Sequence, residues 1–142
     1  MKVIVASFSK TGTKTLCAAL NVLGYKVYDA VEHFWYHGND WIKILTTGGT
    51  VEDFKRMYKD VDVVTDAPAC NFWEEISEAF PDAKIVLTLR DEESWWRSLQ
   101  KQFERMNADV SFKISHYVPY FSTYRYYKAI CELSFLEEIS ND

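Results

Sequence analysis

Short apolar runs alternate with longer amphipathic stretches along the first hundred or so residues. Val3-Ile4-Val5-Ala6 reads as a β-strand. A helix is expected from near Thr13, because Leu16, Ala19, Leu20 and Leu23 fall at i, i+3, i+4 and i+7 and Gly24 supplies a stop. Tyr25 to Tyr28 reads as a second strand. Residues 31 to about 46 read as helical, interrupted near Gly38-Asn39-Asp40 and ended by Gly48-Gly49. Thr50 to Asp53 forms a capping box ahead of a short helix, Phe54 to Tyr58, whose charges are expected to make a solvated face. Val61 to Thr65 gives a third strand, ending at Asp66-Ala67-Pro68, and a helix follows over about 71–80. After a Pro81-Asp82 turn, Lys84 to Leu89 is so continuously apolar that a strand buried on both faces is expected. Arg90 and Asp91 close it, and Asp91 with Ser94 marks the start of a long helix, Glu92 to about Met106. The alternation predicts an α/β fold: a parallel sheet of about four strands, right-handed crossovers, and helices on its faces in three layers.

Composition narrows the function classes. With 142 residues, 48% hydrophobic and 16% aromatic, the chain is expected to fold as one domain, 1–142, without repeat or linker. A net charge of −5 argues against nucleic acid and anionic membrane as partners, so an anionic ligand needs a local cluster, for which Lys10, Lys14 and Arg90 are candidates. Cys17, Cys70 and Cys131 make neither an even set nor a C-x-x-C pair, which fits a reducing compartment. The first residues run directly into a strand, so neither signal peptide nor membrane anchor is expected, and a cytoplasmic location follows. Residues 107–142 form an aromatic segment expected to be helical, with Tyr117, Tyr120, Phe121, Tyr124, Tyr126 and Tyr127. It is expected to cover the sheet edge, the alternative being a homodimer contact.

The chemistry concentrates in Ser7-Phe8-Ser9-Lys10-Thr11-Gly12-Thr13-Lys14-Thr15, between the first strand and the first helix. A small-residue loop there aims several backbone N–H groups and the positive end of the helix dipole at one spot, where anions bind. The loop departs from the nucleotide triphosphatase pattern G-x-x-x-x-G-K-[ST]: with Gly12 as second glycine, Ser7 stands at the first and Thr13 at the lysine. Its lysines are Lys10, inside the loop, and Lys14, one residue late. In a parallel sheet ligands sit beyond the carboxyl ends of the strands, and three such ends carry polar residues: the 7–15 loop, Asp66 and Arg90. An alternative for Asp66 is a cap on the next helix, and for Arg90 an ion pair with Asp91. His33 and His37 have i, i+4 spacing, but no third ligand or H-E-x-x-H pattern goes with them, so an aromatic helix describes them better than a zinc site. Trp35, Trp41, Phe72, Trp73, Trp95 and Trp96 are expected in the core.

Taken in order, Ser9-Lys10-Thr11-Gly12-Thr13-Lys14-Thr15-Leu16, Thr65-Asp66-Ala67-Pro68, and Pro81-Asp82-Ala83-Lys84-Ile85-Val86-Leu87-Thr88-Leu89-Arg90-Asp91 resemble the sulfotransferases. The branch resembled carries P-R-T-G-T-K-S-L, T-D-x-P and P-x-A-K-V-x-L-T-x-R-D, and the match covers roughly residues 1–100. The resemblance implies a P-loop-like parallel sheet and 3'-phosphoadenosine 5'-phosphosulfate (PAPS) as donor. It places Arg90 and Ser98 on the donor's 3'-phosphate. Sulfuryl transfer is an in-line displacement of a group less charged than phosphoryl, so a lysine can take the metal's part and no metal is expected. Lys10 is assigned to charge developing on the bridging oxygen, and the N–H groups of Thr11, Gly12, Thr13, Lys14 and Thr15 to the 5'-phosphate. Asp66 is assigned as the base that takes the acceptor's proton.

Two departures from the family pattern stand out. Related sequences carry Tyr-His after the second strand, where this chain has Tyr28-Asp29, and a terminal segment rich in Gly-Trp-Glu-Pro-Leu has no counterpart here, as if the chain were an abbreviated version. The expected function is transfer of a sulfuryl group from PAPS to a hydroxyl or amine of a small acceptor. Alternatives are a small nucleotide or nucleoside kinase and a nucleotide-binding module without catalysis.

Overall fold

Val3–Val5 (β1) forms the middle of the sheet because its side chains can be buried on both sides: Ile4 and Val5 are fully enclosed. It pairs in parallel with Val63–Val64 (β3), Ile4 opposite Val64, and with Lys84–Val86 (β4), Ile4 opposite Ile85. Val27–Tyr28 (β2) adds to β3 with Val27 opposite Val63, so the order is β2-β3-β1-β4 and every pairing is parallel. The structure, a computed structural model, describes residues 1–108 and Lys128. Two compact units divide the chain, Met1–Leu89 and Arg90–Asp142.

The first unit contains the sheet and four helices that flank it: Thr13–Val22 (α1), Ala30–Thr47 (α2), Val51–Met57 (α3) and Trp73–Ala79 (α4). On α1 the inward stripe is Thr13, Leu16, Cys17 and Leu20, while Leu23 is 71% exposed. The stripe is thus rotated from the one expected, because Thr13 and Cys17 pack inward although neither is strongly apolar. Asp29 caps α2 in a box with Glu32, and His37 (φ −135°) kinks it just before the expected break at Gly38. The Thr50–Asp53 box on α3 is present as expected. Its charges are not all solvated, however: Asp53 is buried and held by Lys43 and Arg56. A 3-10 turn, Ala69–Phe72, precedes α4 where one continuous helix is expected.

Trp41 is the centre of the core, tilted against Phe54 (5.9 Å) and Phe72 (5.4 Å), with Ile44, Met57, Tyr58 and Ile76 among the buried residues. The expectation of aromatic burial holds for Trp41 but not for Trp35, 59% exposed, or Trp96. β4 is the larger correction. It is an edge strand of three residues, and Ile85, Leu87 and Leu89 are 48%, 62% and 82% exposed instead of buried on both faces. An apolar run reports burial only where packed elements cover both faces of the strand, and among the described residues β4 pairs with β1 alone, at the edge of the sheet.

The second unit begins at Arg90 and contains Glu92–Ala108 (α5). Asp91 stands just before it and accepts the Ser94 N–H at 3.0 Å, the cap expected from the sequence. Apart from Lys128, the aromatic segment from residue 109 onward, with Cys131 and His116, lies outside the described residues.

Candidate functional site

The loop after β1 is tied down at both ends by hydroxyls. The buried Ser7 Oγ accepts the Thr88 N–H at 2.6 Å. Thr11 donates its hydroxyl to the Phe8 carbonyl at 2.7 Å, which leaves Thr88 to donate its own to Thr11 at 2.8 Å. Gly12 ends the loop at φ +104°, in the left-handed region that favours glycine, and no atom lies within 4 Å of where a Cβ would stand. It is the N-cap of α1, where a glycine makes no side-chain cap hydrogen bond. The Thr15 N–H is already engaged, donating to the Gly12 carbonyl at 3.0 Å. Of the five N–H groups assigned to an anion, those of Thr11 to Lys14 therefore suit the task better.

Asp66 leaves β3 in the same left-handed region, at φ +64°. Ser9, fifty-seven positions earlier, donates its hydroxyl to Asp66 Oδ1, and the Ala67 N–H donates to the same oxygen at 2.8 Å. Both of these bonds fall on Oδ1 and neither on Oδ2. The helix-cap alternative is not what the side chain does, since the Asp66 bond to Cys70 N–H comes from its backbone carbonyl. Lys10, next to Ser9, has φ +73°; among the described residues Lys10 and Asp66 are the non-glycine residues with positive φ.

Lys14 points its ammonium to Asp29 Oδ2, while Asp29 Oδ1 accepts the Val31 N–H at 3.0 Å. Partial burial works against both charges, but their mutual contact outweighs it: the Lys14 ammonium is raised and the Asp29 carboxyl lowered. Asp29 thus anchors a lysine in the first turn of α1. Burial raises the Cys17 thiol beside them, so it stays protonated near neutral pH.

Beneath Asp66 lies a buried brace. His33 Nε2 donates to the Thr65 carbonyl at 3.1 Å, which fixes the tautomer and leaves Nδ1 to accept the Tyr58 hydroxyl at 3.2 Å. Burial lowers the imidazole to about 3, and the Thr65 carbonyl only partly offsets it. Both ring nitrogens are spent on the protein, which is a core role and not ligation.

In the second unit Arg90 and Ser98, the pair the resemblance selects, line one open concavity of about 310 Å³ together with Ser94, Arg97 and Lys101. Asp91 is drawn into the cap of α5, and the Ser94 N–H followed by nearby Arg97 and Arg90 lowers its carboxyl.

Residues 2–141 match the model of the sulfotransferase domain family. The chain belongs to the sulfotransferase family. It is also similar to the Ava biosynthesis cluster protein M of Aspergillus versicolor, 36% identical over an alignment of 113 residues that takes in 70% of this chain and 42% of that relative. This sulfotransferase-family chain therefore spans about two fifths of that relative's length. Its parallel sheet flanked by helices is the α/β fold the family implies. Among the described residues no helix is long and apolar enough to cross a membrane, and no group of three or more His, Cys, Asp or Glu could hold a metal ion.

Sequence reasoning missed the roles of Ser9 and Thr88, because each acts through a partner distant along the chain that spacing does not reveal. Arg97 and Lys101 were open to discovery: they follow Arg90 by seven and eleven residues, a helical stripe visible in the sequence.

Proposed function

We propose that this protein moves the sulfuryl group of PAPS to a hydroxyl or amine of a small acceptor. One observation carries the reading: the two residues assigned to the chemistry, Lys10 and Asp66, both occupy left-handed backbone, and Ser9 beside Lys10 is bonded to Asp66. Backbone held in a costly region is maintained only where its surroundings impose it, and such sites cluster where groups must be aimed.

The fit of the donor is supported by the N-terminus of α1, whose N-cap makes no side-chain hydrogen bond, and the open space over Gly12, which suit a 5'-phosphate. Arg90 can present a planar fork and Ser98 a hydroxyl to the 3'-phosphate. In the transfer the acceptor's oxygen or nitrogen bonds to sulfur as the bond from sulfur to the donor's bridging oxygen breaks, releasing adenosine 3',5'-bisphosphate. Asp66 Oδ2 takes the acceptor proton, and Lys10 steadies charge on the departing oxygen. Oδ1, already accepting two bonds, fixes the direction of Oδ2.

Calorimetric titration with adenosine 3',5'-bisphosphate and, separately, with ATP and magnesium tests the donor. Binding of the bisphosphate alone supports the reading. ATP binding alone makes the protein a kinase, and binding of neither ends the donor assignment.

A further inference from the structure

Thr65 stands where the β2–β3 ladder runs out. Its N–H donates to the Tyr28 carbonyl at 3.0 Å, and in a parallel ladder its own carbonyl would next accept from the amide of residue 30. The chain has by then turned into α2, which starts at Ala30. The donor comes instead from the first turn of that helix, where His33 Nε2 reaches the Thr65 carbonyl at 3.1 Å. The ring is held in that direction on several sides. It is fully enclosed, Tyr28, Trp41 and Tyr58 meet it edge-on with centroids 6.2, 6.0 and 5.7 Å away, and the Tyr58 hydroxyl donates to Nδ1. Burial keeps the imidazole neutral, lowered to about 3, so what it brings to Thr65 is a directed hydrogen bond and not a charge.

The Thr65 carbonyl belongs to the same rigid peptide plane as the Asp66 N–H. Asp66 leaves that plane at φ +64°, a costly conformation for an aspartate, so a rotation of the plane swings the carboxylate with it. We infer that His33 is a positioning residue for Asp66: its bond to Thr65 fixes through the backbone the carboxylate that Ser9 and the Ala67 N–H hold directly. The inference rests on the proposed role of Asp66 as the base. Tyr58 acts one step further back, keeping the ring oriented and its proton on Nε2. Without the ring the buried Thr65 carbonyl loses this donor and the plane is free to turn. A misplacement of about 1 Å at a reacting group can cost on the order of a hundred-fold in rate, so the effect belongs in the transfer step and not in donor binding.

Transfer of labelled sulfate from PAPS by the full chain to small hydroxyl and amine acceptors, measured beside titration with adenosine 3',5'-bisphosphate, tests this. His33→Leu should lower kcat by about ten- to a hundred-fold with the KM for PAPS and the bisphosphate affinity within about two-fold. His33→Gln, whose amide can donate to the Thr65 carbonyl, should restore part of the rate. In the Asp66→Asn background the same His33→Leu change should cost less than about two-fold more, because the group it aims is no longer a base. An unchanged kcat in His33→Leu, or losses that multiply in the double variant, overturns the inference and leaves the transferase reading standing. Retained bisphosphate affinity reports that the variants are folded. If His33→Leu does not fold, Tyr58→Phe carries the same comparison: it should lose about three-fold or more of the rate with Asp66 present and nothing further in Asp66→Asn, and a full rate overturns the inference. A wild type that labels no acceptor ends the transferase reading and the inference with it.

Discussion

The Ser9 hydroxyl donates to Asp66 Oδ1, joining the loop after β1 to the end of β3 across fifty-seven positions of sequence. The Ala67 N–H reaches the same oxygen, so the carboxylate is held at its Oδ1 end. The bond is the hinge of the account, since it couples the residue next to Lys10 with the assigned base.

A double-mutant cycle on this pair should show it. Ser9→Ala and Asp66→Ala are expected to couple by about 1.5–3 kcal/mol in urea unfolding, the range for a hydrogen bond to a charged group. Ser9→Thr, which keeps the hydroxyl, should recover most of the loss. Additive single effects would remove the bond from the account.

Lys10 offers a trade between stability and function. A left-handed lysine costs about 1 kcal/mol relative to glycine, so Lys10→Gly should raise the unfolding midpoint slightly or leave it unchanged. The same variant should lose sulfuryl transfer. A variant that is clearly destabilised by glycine at this φ of +73° would contradict the geometry.

Lys14 should behave differently from Lys10. Its ammonium is committed to Asp29, and its contribution to an anion comes from the backbone N–H at the start of α1. Lys14→Ala is therefore expected to leave bisphosphate affinity within about two-fold and to cost less than about 1 kcal/mol of stability, as the lysine is well exposed. A loss of affinity of about ten-fold or more would assign the ammonium to the ligand.

His33 predicts a pH dependence with a definite sign. Its imidazole is lowered from 6.5 to about 3, so between those values the unfolded chain holds a proton that the folded one does not. The stability this group contributes is complete above pH 6.5 and is lost as the pH falls toward 3. Unfolding free energy should fall by up to about 1.4 kcal/mol per pH unit on this account, with His37, also lowered by burial, adding in the same direction. Denaturant titrations between pH 5 and 6 should give a flatter dependence for His33→Gln, and an unchanged slope would show that the histidine is not buried neutral.

Much of this was legible in the sequence because it is local. The four strands, the Thr50 box on α3, the kink near Gly38 and the Asp91 cap follow from patterns a few residues long. The loop between β1 and α1 was legible for the same reason, being a strand, a glycine and a helix in succession. What escaped depends on which elements become neighbours. Leu87 and Leu89 look like core strand residues but lie past the end of β4 and are exposed, and Asp53 looks solvated until Lys43 and Arg56 close over it. Ser9 and Asp66 are each visible alone, but a bond over that separation depends on β1 and β3 lying side by side.

The most direct test of the assigned chemistry follows labelled sulfate from PAPS into a panel of small hydroxyl and amine acceptors, with donor binding measured in parallel. The wild type should transfer label, while Lys10→Ala and Asp66→Asn should bind the donor within about five-fold yet lose transfer by a hundred-fold or so. Transfer at the wild-type rate by Asp66→Asn would contradict the account.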